Sequence, residues 1–334
     1  MLSVAPRTLK AAGSRLDVDM PVGWKHSWPG VLRKLVVRRL DWEHWRNWTQ
    51  VRRGFELPPL PRRSRRDGEI WAVFLVKNES DVLESTLRHT VRQGVDKLLV
   101  VDNGSTDGTL EILERLTEEL PLHVGFDREV AYFQSEKMTY LARWAASRGA
   151  DWVVPIDADE FWFSTEGTLA EHLRSTSDDI LEAELHNLFP IPTNEEPNGI
   201  AGPLRFDHHR QMLRKTALRA HPLAWLAMGN HHGLRPGMTG GGLRIAHLPW
   251  RSERQFTNKV RQGAAALAAA RSLKPHEGGH WRDQAALSGE QINQTWNRLL
   301  AGSGDESLGW RPVGPFTEVR AGSWETWPHN LDDS

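Results

Sequence analysis

Two aspartates separated by one residue carry the strongest chemical signal in the sequence. Asp157 and Asp159 follow an apolar run at residues 152–156, and Glu160 comes directly after them. In an extended chain, side chains at positions i and i+2 point the same way, so both carboxylates can approach one hard cation from one side. The adjacent sequence supplies no basic residue to pair with them. We therefore expect the two carboxylates to repel each other and a divalent ion to relieve that repulsion.

Acidic and turn-forming residues also follow two earlier apolar runs. The run at residues 70–76 is followed by Lys77-Asn78-Glu79, and the run at residues 97–101 by Asp102 and a turn-rich stretch to residue 108. Such residues can simply turn the chain and cap the next helix. Three acid-bearing strand ends exceed what capping requires, and ligands of open α/β sheets bind beyond the carboxyl ends of the strands. We therefore predict a ligand site at that edge of the sheet.

The elements that must position these residues alternate between buried strands and amphipathic helices. Helical spacing at residues 81–92, 109–120 and 135–148 separates strand-like runs at 70–76, 97–101, 122–126 and 152–156. This alternation predicts right-handed βαβ units, hence an α/β fold with a doubly wound, mostly parallel sheet flanked by helices. Helices with capping-box spacing are predicted at 168–175 and 253–271, and strands at 180–187 and 242–248.

Composition excludes several classes of protein. The chain of 334 residues has no cysteine, which excludes disulfide scaffolds, zinc–cysteine sites, iron–sulfur clusters and thiol nucleophiles, and fits a reducing cytoplasm. Its apolar runs are far shorter than the ~18 residues that a membrane helix needs. The dinucleotide-binding glycine motif, the P-loop and G-x-S-x-G are all absent. His276 to His280 matches H-E-x-x-H, but two internal glycines argue against the helix that a zinc protease needs.

Charge is divided unevenly along the chain. The net charge is −1, yet residues 1–66 carry +10 and the remainder −11. Five tryptophans lie in the basic arm, at positions 24, 28, 42, 45 and 48, and disordered basic tails are poor in aromatic residues. We expect residues 24–50 to be folded and residues 57–66, rich in proline and arginine, to form a linker. The partner of the arm is left open between the acidic body of the protein, a membrane surface and nucleic acid.

The strand-end segments resemble the successive motifs of family 2 glycosyltransferases with the GT-A fold. The resemblance rests on residues 76–79, 101–107 and 156–161, the last reading Ile-Asp-Ala-Asp-Glu-Phe, and it spans about residues 70–165. A later stretch, residues 246–263, is similar to the His…Arg-Ser…Gln-Phe…Lys segment of one bacterial subgroup. Asn103 stands where many members carry a second aspartate, which leaves Asn103 a turn or ribose role. On this basis we divide the chain into a basic extension at 1–66, a GT-A domain at 67–272 and a helical and coil extension at 273–334.

The resemblance implies a UDP- or GDP-linked sugar donor and a hydroxyl acceptor on a carbohydrate, a lipid-linked or another molecule. Glu79 and Asp102 would contact the nucleoside, and Asp157 and Asp159 would hold ribose and metal, with His247 as a further metal ligand. An imidazole among carboxylates favours Mn²⁺ over Mg²⁺. Three basic residues are candidates to pair with the diphosphate or approach the nucleotide: Arg251, Lys259 and Lys137.

The implied reaction is a metal-dependent, inverting transfer by a cytoplasmic enzyme, with peripheral contact at the inner membrane face through residues 1–66. A carboxylate would deprotonate the acceptor hydroxyl as it attacks the anomeric carbon. Four carboxylates are candidates for this base: Glu160, Glu182, Glu184 and Asp207. Two rival functions stay open. A sugar-phosphate nucleotidyltransferase would need a glycine-rich loop after the first strand, and the basic arm favours a nucleic-acid- or membrane-binding protein on an inactive scaffold.

Overall fold

The structure is a computed structural model that describes most of the chain. The described residues are 30, 42–193, 200, 202–269, 287–303, 310–320 and 324–328. Trp24, Trp28 and the His276–His280 motif lie outside them. None of the described helices is long and apolar enough to cross a membrane.

The described strands form one mixed sheet of eleven strands and a separate two-stranded ribbon. In chain order they are β1 (Phe55–Glu56), β2 (Ile70–Val76), β3 (Lys97–Asp102), β4 (Leu122–Asp127), β5 (Trp152–Pro155), β6 (Glu160–Ser164), β7 (Ile180–Pro190), β8 (Leu204–Arg210), β9 (Lys215–Arg219), β10 (Trp225–Leu226), β11 (Gly233–Leu234), β12 (Thr239–His247) and β13 (Phe316–Val319). The ribbon consists of β10 and β11.

Helices cover both faces of the sheet. They are α1 (Trp42–Gly54), α2 (Leu83–Arg92), α3 (Thr109–Leu116), α4 (Gln134–Ala146), α5 (Leu169–Ser175), α6 (Glu253–Ala269) and α7 (Gly289–Leu300). Apolar residues of α2, α3 and α5 pack into the core on one face, and those of α4 pack into a second cluster on the other face. The predicted α/β fold is confirmed, with helix α3 ending four residues earlier than its periodicity predicts.

The sheet has a parallel half and a mixed half. Strands β4, β3, β2 and β5 are adjacent and parallel, as their uninterrupted apolar runs predict. Beyond β5 the order continues β9, β7, β12 and β6; β9 is antiparallel to both neighbours, β12 is parallel to β7, and β6 is antiparallel to β12. Strands β6, β8, β9 and β13 were not among the predicted elements.

These directions bring many strand ends to one edge of the sheet, which we call the carboxyl edge. The carboxyl ends of β2, β3, β4, β5 and β12 meet there. Because they are antiparallel to their neighbours, β6 and β9 begin at the same edge: His247 at the end of β12 pairs with Glu160 at the start of β6. The predicted convergence of acid-bearing strand ends is therefore present.

The described part of the basic arm packs against the body of the protein. Val51 of α1 is fully buried beside Ala131 and Phe133, and the Trp48 ring lies edge-on to Tyr140 of α4, with 5.7 Å between centroids. Residues 57–66 have no regular structure, but they are docked and do not form the free linker that their composition predicts. The Arg63 amide donates to the Ser147 carbonyl at 3.1 Å, at the end of α4.

Residues 310–320 and 324–328 pack into the same core as the strands. Strand β13 extends the sheet by pairing with β8, and Trp327 packs edge-on against Phe163 and Phe206. Asp207, fully buried, accepts hydrogen bonds from the Val313 and Gly314 amides at 2.9 and 3.0 Å. This segment is therefore part of the same packed unit as β6 and β8.

Candidate active site at the carboxyl edge

Asp159 and His247 meet at the centre of the carboxyl edge. Asp159 lies in the turn between β5 and β6 and is only 3% exposed, and its Oδ1 is 3.6 Å from Nε2 of His247 at the end of β12. The His247 Nδ1 is 2.9 Å from Oδ1 of Asn187. Because a carbonyl oxygen can only accept, we assign the ring proton to Nδ1, which leaves the Nε2 lone pair facing Asp159.

The electrostatics of this pair favour a neutral imidazole beside an ionised carboxylate. Burial lowers the pKa of His247 to about 3, against the opposing effect of Asp159. Burial alone would raise the pKa of Asp159, but Lys259 above all, followed by His247 and Arg251, holds it well below its usual range. An imidazole nitrogen and a carboxylate oxygen are therefore close together, and both are free of protons at neutral pH.

Asp159 is not the unpaired carboxylate that the local sequence predicts. The Lys259 Nζ lies 2.5 Å from its Oδ2, and Nη1 of Arg251 lies 3.7 Å from the same atom. Both cations come from the start of α6 and the segment before it, about a hundred residues further along the chain. The expectation of two repelling acids without basic partners is therefore wrong, because the fold supplies the partners from a distance.

Asp157 faces a different cation. Its Oδ2 is 2.6 Å from Nζ of Lys215, and its Oδ1 accepts from the Asn230 amide at 3.2 Å. Residues 158–159 form a turn, closed by the Glu160 amide donating to the Asp157 carbonyl at 3.1 Å. The alternation of an extended chain does not hold in a turn, and the two aspartates accordingly have different cationic partners.

Lys215 is shared between two carboxylates. Its Nζ lies 2.7 Å from Oε1 of Glu160 as well as 2.6 Å from Asp157. Burial would lower the pKa of Lys215, but these two carboxylates raise it above its usual range. Glu160 is fully buried, and its Oε2 also accepts from the Trp162 indole at 3.1 Å. The lysine therefore fixes both Asp157 and Glu160 at the turn.

Arg251 joins the turn after β2 to the turn after β5. It is fully buried and pairs with Glu79, with Asp81 at 2.8 Å, and more distantly with Asp159. These carboxylates raise its pKa although burial opposes them, and burial raises the pKa of Glu79. Arg251 therefore acts as an internal tie between turns, and its guanidinium is not exposed toward a diphosphate as the sequence predicted.

The remaining predicted donor-binding residues lie at the ends of β3 and β4. Asp102 accepts from the Gly104 amide at 2.9 Å and the Ser105 amide at 3.0 Å. Asn103 donates to Asp127 at 2.9 Å, and Lys137 of α4 pairs with the same carboxylate at 2.7 Å. Burial lowers the pKa of Lys137. Asp102, Asn103 and Asp127 at the ends of these two strands are thus bound within the protein. Lys137 reaches the carboxyl edge from α4.

Residues 72–181 match the sequence model of the family described as "Glycosyl transferase family 2". The match begins inside β2 and ends at the start of β7, so it includes the turns after β2, β3 and β5. Over these residues the chain is similar to family 2 glycosyltransferases. It is a glycosyltransferase with an α/β fold of the GT-A type. His247, Arg251 and Lys259 lie beyond the matched range.

Two solved structures give distant matches to the chain. Residues 1–349 of TarS from S. aureus are 14% identical, with 70% of this chain and 79% of that chain covered and a TM-score of 0.36. The mannosyltransferase PcManGT from Pyrobaculum calidifontis, solved with GDP-Man and Mn²⁺, is 16% identical, with 82% and 84% covered and a TM-score of 0.36. At these scores neither structure carries a conclusion about this chain's ligands. No curated protein sequence matches the chain.

The four candidate bases of the glycosyltransferase occupy three different environments. Glu160 lies at the site but is enclosed by Lys215 and Trp162. Glu182 lies opposite Thr216 in the ladder, one position from the pair of Ala183 and Lys215, so it faces the other side of the sheet from Lys215. Glu184 shares that face and pairs with Arg210. Asp207 instead binds the backbone of residues 313–314.

Three contributors to the site of the glycosyltransferase carry no sequence signal that we recognised. Lys215 begins a strand that was not predicted, and Asn187 lies near the end of β7, three residues before Pro190. The ring centroid of Trp310 lies 5.0 Å from that of His247. The adjacent apolar residues Ala217 and Leu218 are a weak local indication of the strand that Lys215 begins, but nothing in the sequence marks Lys215 itself. Among the described residues no group of three histidine, aspartate or glutamate side chains is arranged as a metal site.

Proposed function

We propose that this glycosyltransferase moves a sugar from a nucleotide-diphosphosugar to an acceptor hydroxyl at the carboxyl edge, with a divalent cation bound by Asp159 and His247. One observation carries the proposal. A neutral imidazole nitrogen lies 3.6 Å from an ionised carboxylate, in a turn that belongs to the matched glycosyltransferase region. Lys259 and Arg251 bind the other carboxylate oxygen, Oδ2, so a cation between Nε2 and Oδ1 would use the two lone pairs that these side chains leave unused.

The charges around this pair fit such a cation. Three buried or half-buried cations face five carboxylates, so the formal charge reaches −2 when His247 is neutral and every acid is ionised; the acids are Glu79, Asp81, Asp157, Asp159 and Glu160, and the cations are Lys215, Arg251 and Lys259. Burial raises the pKa of Glu79 and raises the pKa of Glu160 to about 7, so a bound cation would also favour the ionised forms of these two acids. One divalent ion would offset that charge. A donor set of one imidazole and one carboxylate suits Mn²⁺ better than Mg²⁺.

Second-sphere contacts orient the proposed ligands. The Asn187 carbonyl holds the Nδ1 proton of His247 at 2.9 Å, which keeps Nε2 as the lone-pair donor, as in most histidine metal sites. Arg251 and Lys259 hold the Asp159 carboxylate at the turn. A bound divalent cation would neutralise charge on the departing nucleoside diphosphate. Lys259, about one quarter exposed at its side chain, is the proposed protein cation for the same charge.

The proposed sugar and ribose subsite lies on the Asp157 side of the turn. Asp157 is about one third exposed at its side chain, and Asn230 beside it is fully buried with an Oδ1 that makes no hydrogen bond within the described residues. A buried acceptor without a donor is costly, and a ribose or sugar hydroxyl would supply the missing donor. Inversion at the anomeric carbon, membership of the bacterial subgroup and the UDP or GDP identity of the donor belong to the same proposal.

Calorimetric titration tests the cation site directly. UDP and GDP are titrated into wild type, His247→Ala and His123→Ala, each with Mn²⁺ and with a chelator. We expect Mn²⁺ to increase the affinity of wild type for one nucleotide, and His247→Ala to lose most of that increase while keeping its metal-free affinity. His123, half-buried on β4 beside Trp71, is the matched histidine away from Asp159. If Mn²⁺ brings no increase in wild type with either nucleotide, the cation site is rejected.

A further inference from the structure

Five exposed arginines lie on the side of the molecule that helix α1 covers. Arg46, Arg52 and Arg53 belong to α1, and Arg62 and Arg63 to the segment after β1. No ion pair joins any of the five to an acidic side chain of the described residues, whereas the neighbouring Arg65 and Arg66 pair with Asp67 and Glu69. We call these five residues the arginine face.

The two parts of the arginine face are both anchored on the C-terminal half of helix α4 and the residues that follow it. Helix α1 packs on α4 through Trp48, and the guanidinium of Arg143 on α4 lies 5.3 Å above the Trp48 ring. The segment after β1 binds the carbonyls that follow α4, through the backbone amides of Arg63 and Arg66 at 3.1 and 2.9 Å. Unpaired like charges are thus held along one helix by a packed scaffold, where repulsion would otherwise disperse them.

Exposed apolar side chains stand at both ends of α1. Trp45, in the first turn of α1, is 46% exposed, and Val130 is 58% exposed in the loop whose next residue, Ala131, packs under Val51. Tryptophan and arginine together are typical of surfaces at the boundary between water and lipid headgroups. A nucleic acid offers phosphates to arginine and stacking to tryptophan, but it has no partner for an exposed valine.

We propose that the arginine face docks on an anionic phospholipid surface, with arginine guanidinium groups on lipid phosphates and Trp45 and Val130 at the headgroup boundary. Arginine binds phosphate through two parallel hydrogen bonds and loses hydration more readily than lysine. The five cations that define this face are all arginines, and none is a lysine. Helix α1 ends beside the carboxyl edge, since Phe55 pairs with Asp127 at the end of β4. Docking therefore places the edge that carries the site close to the lipid, and the docking itself does not depend on the proposed reaction.

Vesicle sedimentation with the full chain tests the proposal. Vesicles of phosphatidylcholine alone are compared with vesicles containing about 30% phosphatidylglycerol, at low and high salt. We expect binding to the anionic vesicles only, weakened by salt. The triple change Arg46→Gln, Arg52→Gln, Arg53→Gln should lower the partition coefficient on the order of 100-fold, because each arginine near such a surface contributes about fivefold.

A matched triple variant controls for net charge. Arg254, Arg261 and Arg320 are also exposed and lie on other elements, so changing all three to Gln removes the same charge from elsewhere. We expect that control to bind within about twofold of wild type. Equal losses in both triple variants, or no loss in either, would overturn the proposal.

Two further measurements separate lipid from nucleic acid and test the apolar contribution to binding. Trp45→Ser should reduce vesicle binding at high salt, where the electrostatic part is screened, while leaving the melting temperature nearly unchanged. Binding of a short DNA duplex at the same salt, without binding of anionic vesicles, would assign the arginine face to nucleic acid and reject the lipid surface.

Discussion

The turns after β3 and β5 both hold buried aspartates, but they stabilise these carboxylates by different means. Asp102 accepts hydrogen bonds from the amides two and three residues further on. Asp159 is neutralised by Lys259, which lies 100 residues away in the chain, and Asp157 by Lys215, which lies 58 residues away. The first turn binds its own acid with its own backbone, whereas the second depends on cations that only the complete fold brings to it.

The difference has an energetic consequence. A carboxylate held by backbone amides in its own turn loses about the net value of a hydrogen bond or two when it is changed. A buried carboxylate held by distant cations leaves those cations without a counter-charge, which is far more costly. We therefore expect the turn after β5 to be sensitive to single substitutions, and the turn after β3 to be tolerant of them.

The largest effect is expected at Arg251, which joins three carboxylates. Arg251→Met keeps most of the side-chain volume but leaves Glu79, Asp81 and Asp159 with one cation fewer. The free energy of unfolding should fall by about 3–5 kcal/mol, measured by urea denaturation with a chelator present. Arg254→Met, three residues further on and exposed, should change it by less than about 0.5 kcal/mol. Equal effects of the two variants would contradict the role of Arg251 as a tie between turns.

A smaller loss is expected for Asp159→Asn. The change keeps the size of the side chain but removes the negative charge that faces Lys259 and Arg251. We expect destabilisation of about 2–3 kcal/mol in metal-free protein, since Arg251 retains two other partners. Repulsion between neighbouring aspartates, which the local sequence suggests, predicts the opposite sign. A more stable variant in the same denaturation experiment would restore that interpretation.

The smallest effect is expected in the other turn. Asp102→Asn keeps one carbonyl acceptor for the Gly104 and Ser105 amides, so the cost should be about 1 kcal/mol. Hydrogen exchange at these two amides should become faster, while amides in β6 and β12 remain protected. A loss as large as that of Asp159→Asn would remove the distinction between the two turns.

The parallel half of the fold could be predicted from the sequence because its signals are local. Apolar runs marked β2 to β5, and the capping box at Thr168 and Glu171 is present with both of its hydrogen bonds. The mixed half could not be predicted in this way. Strand β6 begins directly after the turn that contains Asp159, and its partner strand β12 lies about eighty residues further along the chain. At the site itself, the sequence identifies the acidic residues at the strand ends, but it does not identify the cations that pair with them.

The cations Lys215 and Arg251 show why the partners of the acidic residues could not be found from the sequence. Lys215 stands in a polar stretch without any motif, and Arg251 has the spacing of a solvated helix start, although it is fully buried. Sequence periodicity reports which face of an element is apolar, but a buried ion pair depends on which two elements the fold brings together. That information belongs to tertiary packing alone.

Residues 324–328 place a constraint on how the protein is made. Gln93 at the end of α2 donates to the Glu325 carbonyl, 232 residues further along the chain, and Trp324 and Trp327 cover Phe163 of β6. A ribosome adding roughly 5–20 residues per second needs on the order of 10–30 s to proceed from Phe163 to Trp327. Throughout that interval the aromatic face of β6 has no cover from these two tryptophans. The nascent chain therefore presents an apolar surface to the cell before the enzyme is complete, and we expect its yield to depend on chaperones and on growth temperature.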